Sequence, residues 1–322
     1  MFSATRKQAT GRIAVTYLAA LTGFASVLPR PAASCPQCAS PFKPGTYTGE
    51  AKRVGNGVAY SWVTLDAKGK PASVGVTLTE TALEGLNQIE PQSFAEMERD
   101  MFMLMLPKQA MKTAFDHISL DWNAKGHPPM NVYDKPHFDI HFYTLTQAER
   151  EKITAIGPDV AVCRKTVPGG YTPAGYVYAP GTEAPQMGGH WIDPKAPELN
   201  GKPFGSTFIY GSYNGKLAFV EPMVTKAFLD SKEELNVEIP VPTVYAKSAY
   251  YPTRYVIHHD AVRHEVTIAL DGMVWREGTN KTSPKAPTTK TAPAVLTSVK
   301  PAAKPTPTRT GTIASKAVAK RD

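Results

Sequence analysis

Apolar and polar positions alternate through most of the chain between residues 45 and 277, and turn-forming residues interrupt the alternation at short intervals. A period of two is the mark of half-buried strands. This middle therefore reads as an α+β domain that is predominantly antiparallel β, barrel-like or sandwiched, with a few short helices. YSWVTLDAKGKPASVGVTL predicts two strands around Lys68-Gly69-Lys70-Pro71, and YPTRYVIHHDAVRHEVTIAL predicts another pair. In FGSTFIYGSYNGKLAFVEP the connector Asn214-Gly215 supplies the positive φ angles that a two-residue type I′ turn needs. Helical patches are predicted at TETALEGL, SFAEMERDMFMLML and LTQAEREKITAI, where Thr146 caps a first turn containing Glu149. No internal repeat is visible, which argues against a propeller or solenoid.

The same periodicity yields the first chemistry. A strand from Pro136 to Tyr143 puts His137, Asp139, His141 and Tyr143 on one face and Phe138, Ile140 and Phe142 on the other. Alternate residues lie about 6.6 Å apart and residues four apart about 13 Å, so one ion takes Asp139 with one neighbouring histidine but not both. By this spacing Asp139 with His141 is the best local pair, or Asp139 orients one ring from behind. Further ligands must come from elsewhere. His127 sits in the stiff Gly-His-Pro-Pro turn, His190 follows Gly188-Gly189, and Glu221 is kept extended by Pro222.

These residues predict a pocket in which His127, Asp139, His141 and His190 bind a divalent metal and Glu221 and His137 are catalytic. Three or four nitrogen and oxygen ligands with an open position suit Zn²⁺ first, then Mn²⁺ or Fe²⁺. The expected activity is metal-assisted hydrolysis or lyase chemistry on a small polar molecule, with Glu221 or a non-ligating histidine moving the proton. A second arrangement fits the alternation equally: the polar face meets solvent while the phenylalanines pack inward, and no metal is needed. His258, His259, Asp260 and His264 flank a hairpin turn and read as surface. No nucleophile elbow, P-loop or dinucleotide-binding glycine pattern is present.

Charge changes the picture at the ends. The 322 residues carry a formal net charge of +8, yet Arg6, Lys7, Arg12 and Arg30 precede residue 35 without an acid. Residues 278–322 hold nine bases against Asp322 alone, so the middle is left mildly acidic. A folded domain of that sign is a poor candidate for binding nucleic acid, and none is expected there. Arg6, Lys7 and Arg12 followed by the apolar run Ile13 to Leu28 predict an export signal over residues 1–34, and hence a periplasmic, envelope or secreted location. A single β-rich domain is expected over 35–277. Beyond it, 278–322 mixes Lys, Pro, Thr and Ala without periodicity, which predicts a disordered basic tail able to contact anionic envelope polymers or a membrane surface.

Ala32-Ala33-Ser34-Cys35 is close to a lipoprotein box, though Ala32 stands where that pattern prefers Leu. Lipidation of Cys35 would leave Cys38 and Cys163 to pair; the rival pairing is Cys35 with Cys38. CPQC has redox spacing, but no helix follows to lower a thiol pKa, and Ala39 excludes haem attachment.

Taken together, DWNAKGHPP, YDKPHFDIHFY, GGHWIDPKAPELNGKPF, FIYGSYNGKLAFVEPMVTKAFL and YYPTRYVIHHD resemble a family of bacterial exported proteins of unknown function, over roughly residues 45–277. The resemblance implies a shared site at the His, Asp and Glu positions, and transfers no reaction. The alternative expectation is a non-catalytic envelope protein, oligomeric with its own copies or stress-related, whose polar ladder is structural.

Overall fold

The computed structural model describes residues 42–279. The predicted export signal, Cys35, CPQC and all but the first two residues of the basic tail lie outside the described residues.

Sixteen strands build this body. β1 (Gly45–Thr48), β2 (Lys52–Val54), β3 (Gly57–Leu65) and β4 (Pro71–Thr79) begin one sheet. β5 (Met101–Met105), β6 (His117–Asn123), β7 (His137–Tyr143), β8 (Val177–Ala184), β9 (Gly188–Ile192), β10 (Ser206–Tyr213) and β11 (Lys216–Thr225) form a second, in the order β5-β6-β7-β11-β10-β9-β8. The chain then returns through β12 (Leu235–Glu238), β13 (Ala249–Tyr251), β14 (Arg254–Asp260), β15 (Glu265–Asp271) and β16 (Val274–Arg276). Three of these complete the first sheet as β1-β3-β4-β15-β14-β12 with β2 paired to β3, while β13 and β16 pair with each other. Pairing is antiparallel throughout these sheets, and neither large sheet closes into a barrel.

The three predicted hairpins are β3–β4, β10–β11 and β14–β15. Asp66 closes the first by accepting the N–H groups of Lys68 and Lys70, each at 2.8 Å. Asn214 (φ 50°) and Gly215 (φ 72°) turn the second with the left-handed backbone that asparagine and a residue without a Cβ tolerate. Helical expectations fare less well. TETALEGL keeps only a short 3-10 turn at Glu80–Leu83. The SFAEMERD helix, α1, stops at Phe94–Met97, and MFMLM becomes β5. Methionine and leucine favour helix locally, but pairing along β6 and complete burial of Leu104 override that preference. Helix α2 (Gln147–Arg150) begins where expected. Thr146 accepts the Glu149 N–H, and the Glu149 carboxylate accepts the Thr146 N–H at 2.9 Å, a reciprocal cap. Two further short helices follow, α3 (Asp159–Cys163) and α4 (Lys226–Ser231). Cys163 is buried and has no disulfide partner among the described residues.

The two large sheets share one core. Val74, Val76, Leu78, Ile257 and Ile268 of the first pack with Ile118, Leu120, Phe138, Ile140 and Phe142 of the second. That accounts for one face of β7. The other face is covered too: all seven residues from His137 to Tyr143 are buried, so the solvent-facing ladder that the alternation also allowed is overturned. What covers it are connections and a neighbouring strand with their own apolar clusters, Tyr133 and Phe204 over one end, and Met187, Phe219 of β11 and the partly buried Leu145 over the other.

Candidate metal centre

Strand register assembles the polar face. Between β6 and β7, Asp121 lies opposite Asp139, Ser119 opposite His141 and Asn123 opposite His137. On the other side of β7, β11 pairs Val220 with Phe142 and next Met223 with Asp139, which brings Glu221 level with His141. Pro222 has no N–H to donate across that gap. His190 arrives from β9, opposite Gly211 of β10. A Cβ on Gly211 would fall inside the Phe219 ring, whose edge packs against the rings of His141 at 4.8 Å and His190 at 5.5 Å. Gly188-Gly189 permits the close approach expected of it, since a Cβ on Gly189 would strike the Tyr178 phenol.

All six predicted residues are brought together, but in two groups. His127, His137 and Asp139 form one and His141, His190 and Glu221 the other; within each, one donor atom per residue lies within 4.8 Å of the rest. Asp139 therefore pairs with His137 (Oδ1 to Nε2, 3.0 Å) and His127 (Oδ2 to Nε2, 3.3 Å). The expected Asp139–His141 pairing is not formed. His141 instead places Nδ1 3.0 Å from Asp121 and Nε2 3.4 Å from Glu221, whose second oxygen is 3.8 Å from His190 Nε2.

Tautomers follow from the main chain. A carbonyl oxygen only accepts, so Nδ1 is the donor in His137 to Lys135 (2.6 Å), in His127 to Pro128 (2.8 Å) and in His190 to Thr182 (2.8 Å). Each ring consequently turns Nε2 toward a carboxylate. In a neutral ring that nitrogen bears a lone pair, and lone pair facing lone pair is repulsive without a proton or a metal ion between them. Several buried atoms here lack any hydrogen bond despite their proximity: Nε2 of His137, Oδ1 of Asp139, both ring nitrogens of His141, Oδ2 of Asp121 and Oε2 of Glu221. Buried polar atoms without partners are rare and costly, and here they converge.

Electrostatics distinguish the rings. Burial opposes charge on His127, but Asp139 outweighs it and pushes the imidazole up to about 9. Against burial, His137 and His127 hold the Asp139 carboxyl well below the usual carboxylate range. Burial raises Glu221, whereas it pulls His190 down to about 4, leaving that ring neutral and fit to ligate. His141 is raised because Glu221 and Asp121 outweigh its burial.

Behind the site stands a buried chain that the sequence did not reveal. Arg150 from α2 is 1% exposed, lies over the Tyr143 ring at 4.7 Å and donates through Nη2 to Ser119 Oγ at 3.2 Å. Ser119 donates in turn to Asp121 Oδ1, and Asp121 meets His141. Asn123 donates to Asp139 at 2.8 Å. Asp121 and Asn123 are legible only as part of DWNAKGHPP; alternation along β6 is the signal that sets them on the same face.

A cavity of about 670 Å³ opens onto this wall. Asp121, His127, Asp139, His190 and Glu221 line it, and Met97, Met101, Met187, Met223 and Ile209 supply apolar sides. His137 and His141 are fully buried behind those residues and do not line the cavity. His258 and His264, by contrast, are exposed side chains beside Glu234 and Glu80.

Among known proteins, residues 66–122 match the model of a family described as TTHB210-like, hypothetical protein TTHB210. The matched stretch is shorter than the resemblance over 45–277 and ends at Trp122, so of the cavity's carboxylates it contains Asp121 alone. No curated protein and no solved structure matches the chain. The family comparison thus points to an uncharacterised family and assigns no chemistry to the site.

Proposed function

We propose that the cavity wall binds a divalent transition-metal ion, zinc foremost, on His141, His190 and Glu221, and that the bound ion serves metal-assisted hydrolysis or lyase chemistry. The supporting observation is the unpaired set: His190 Nδ1 is committed to the Thr182 carbonyl, and Nε2 of both histidines faces Glu221 without a hydrogen bond. Two imidazoles and a carboxylate with an open side are a zinc site of the catalytic kind. An ion held by these three residues would supply Lewis acidity for activating water and polarising a substrate oxygen. The chain's own groups divide the remaining work. Asp121, fixed by Ser119 and Arg150, orients His141. Glu221 offers one oxygen for ligation and the other to accept a proton, and His190 holds its ring square by the Thr182 bond. Methionine and isoleucine sides favour a substrate with an apolar body and one polar, metal-ligating group. His137, buried against Asp139, does not touch substrate in this reading.

Elemental analysis of the purified full chain tests the metal. At least one zinc per chain is expected, reduced by His190→Ala; a chain that is metal-free and takes up none on dialysis against zinc overturns the reading. Chromogenic carboxylic and phosphate esters then test the reaction, with turnover expected to vanish on chelation and return with zinc. Export and envelope association belong to the same proposal and rest on the N-terminal basic-apolar pattern and the basic tail. Cell fractionation of the full chain against one lacking residues 281–322 checks both.

A further inference from the structure

We infer that the second group, His127, His137 and Asp139, is a separate site for a divalent transition-metal ion, so that the cavity wall carries two. This extends the proposal of a metal at His141, His190 and Glu221. The separation is geometric. Donors of one zinc lie within about twice the 2.1 Å metal–nitrogen distance of each other, roughly 4.2 Å. His137 and His141 stand four residues apart on β7, about 13 Å of strand, and each belongs to its own cluster of donor atoms. A single ion therefore cannot use both groups.

A salt-bridged triad is the competing explanation; a proton on His127 satisfies its 3.3 Å contact with Asp139 but leaves the His137 side of that carboxylate unaccounted for. His137 Nε2 and Asp139 Oδ1 are 3.0 Å apart and fully enclosed, yet neither makes a hydrogen bond, because the ring is turned by its 2.6 Å bond to the Lys135 carbonyl. Both groups are at least nine-tenths buried, at 0% and 5% exposure. Phe204 closes one side, its ring 5.3 Å from that of His137, so water has no approach from there. On the other oxygen Asn123 donates at 2.8 Å and fixes the carboxylate plane, as groups behind metal ligands do. His127 lines the cavity beside Asp139, held by a loop in which its N–H donates to the Tyr133 carbonyl at 3.1 Å and a Cβ on Gly126 would collide with that same oxygen. Two nitrogens and one carboxylate with an opening toward the cavity again describe a three-ligand site with free positions.

Neither site is served by a cationic side chain, since the cavity is lined by four carboxylates, of which only Glu183 is paired with an arginine, Arg164, and by no lysine or arginine. Two bound ions would reverse that sign and make the wall attractive to an oxyanion.

The test uses the full chain loaded with zinc and stripped of excess by gel filtration, with zinc counted by elemental analysis. Wild type is expected to hold two ions per chain, His127→Ala one, His190→Ala one and the double variant none. One ion in wild type that His127→Ala leaves untouched overturns the second site while sparing the first. An absence of zinc throughout overturns both. Should a variant fail to fold by circular dichroism, a cobalt titration of wild type decides: visible absorption saturating at two equivalents supports the inference, and saturation at one defeats it.

Discussion

Two histidine–acid regions of this molecule share a distance and little else. His258 Nδ1 lies 3.0 Å from Glu234 beside the β14–β15 turn, and His141 Nδ1 lies 3.0 Å from Asp121 inside the second sheet. The first pair has side chains 60% and 57% exposed, the second 0% and 6%. In water such a contact contributes about 0–1 kcal/mol, because solvent screens it and competes for both partners. Enclosed, the same contact is coupled to everything around it: Asp121 must also satisfy Ser119, and His141 must also face Glu221. Removing one partner there strands the others without solvation. The comparison teaches that residue type and spacing mark where ligating chemistry could sit, while burial decides whether it has consequences.

The comparison breaks most sharply at Asp121. Asp121→Ala leaves Ser119 without its acceptor and His141 without the carboxylate that faces it, and is expected to cost about 3–5 kcal/mol, read as a lowered urea midpoint. A loss comparable to a surface change would mean the polar wall is hydrated in solution. Phe138→Ala, on the opposite face of β7, should also cost about 3–5 kcal/mol by opening a cavity in the shared core. Its zinc content should nevertheless match wild type, and a variant that loses zinc would show that the two faces are not independent. Gly211→Ala is next, at about 1–3 kcal/mol, since the new methyl displaces the Phe219 ring from both His141 and His190. Zinc affinity measured by competition with a chromogenic chelator should weaken alongside. Smallest is His258→Ala, expected to shift stability by no more than about 0.5 kcal/mol and zinc content not at all.

Much of the fold was legible because it is written in local signals. Alternation identified β7, the turn residues identified three hairpins, and Thr146 with Glu149 marked the start of α2. The four segments bearing His127, Asp139, His141, His190 and Glu221 were visible as places where ligating side chains sit on extended or tightly turned backbone. Legibility failed wherever the answer depended on a distant partner. MFMLM has the composition of a helix and becomes β5 because β6 is beside it. Asp139 chooses His127 and His137 over His141 because the 124–136 loop folds back over that end of β7. Arg150 looks like an exposed helical charge among Glu149, Glu151 and Lys152, yet it is buried.

By itself, then, the sequence determined an antiparallel β body and the alternation that segregates His137, Asp139 and His141 from Phe138, Ile140 and Phe142, since a strand's side-chain period is a property of its own backbone. Only the tertiary structure decided that the polar side is enclosed, that its donors divide into two groups, and that Asp121, Ser119 and Arg150 stand behind one of them. Those outcomes come from cross-strand register and from loops packed over the sheet. They join residues up to about a hundred positions apart, and no local pattern encodes such a meeting.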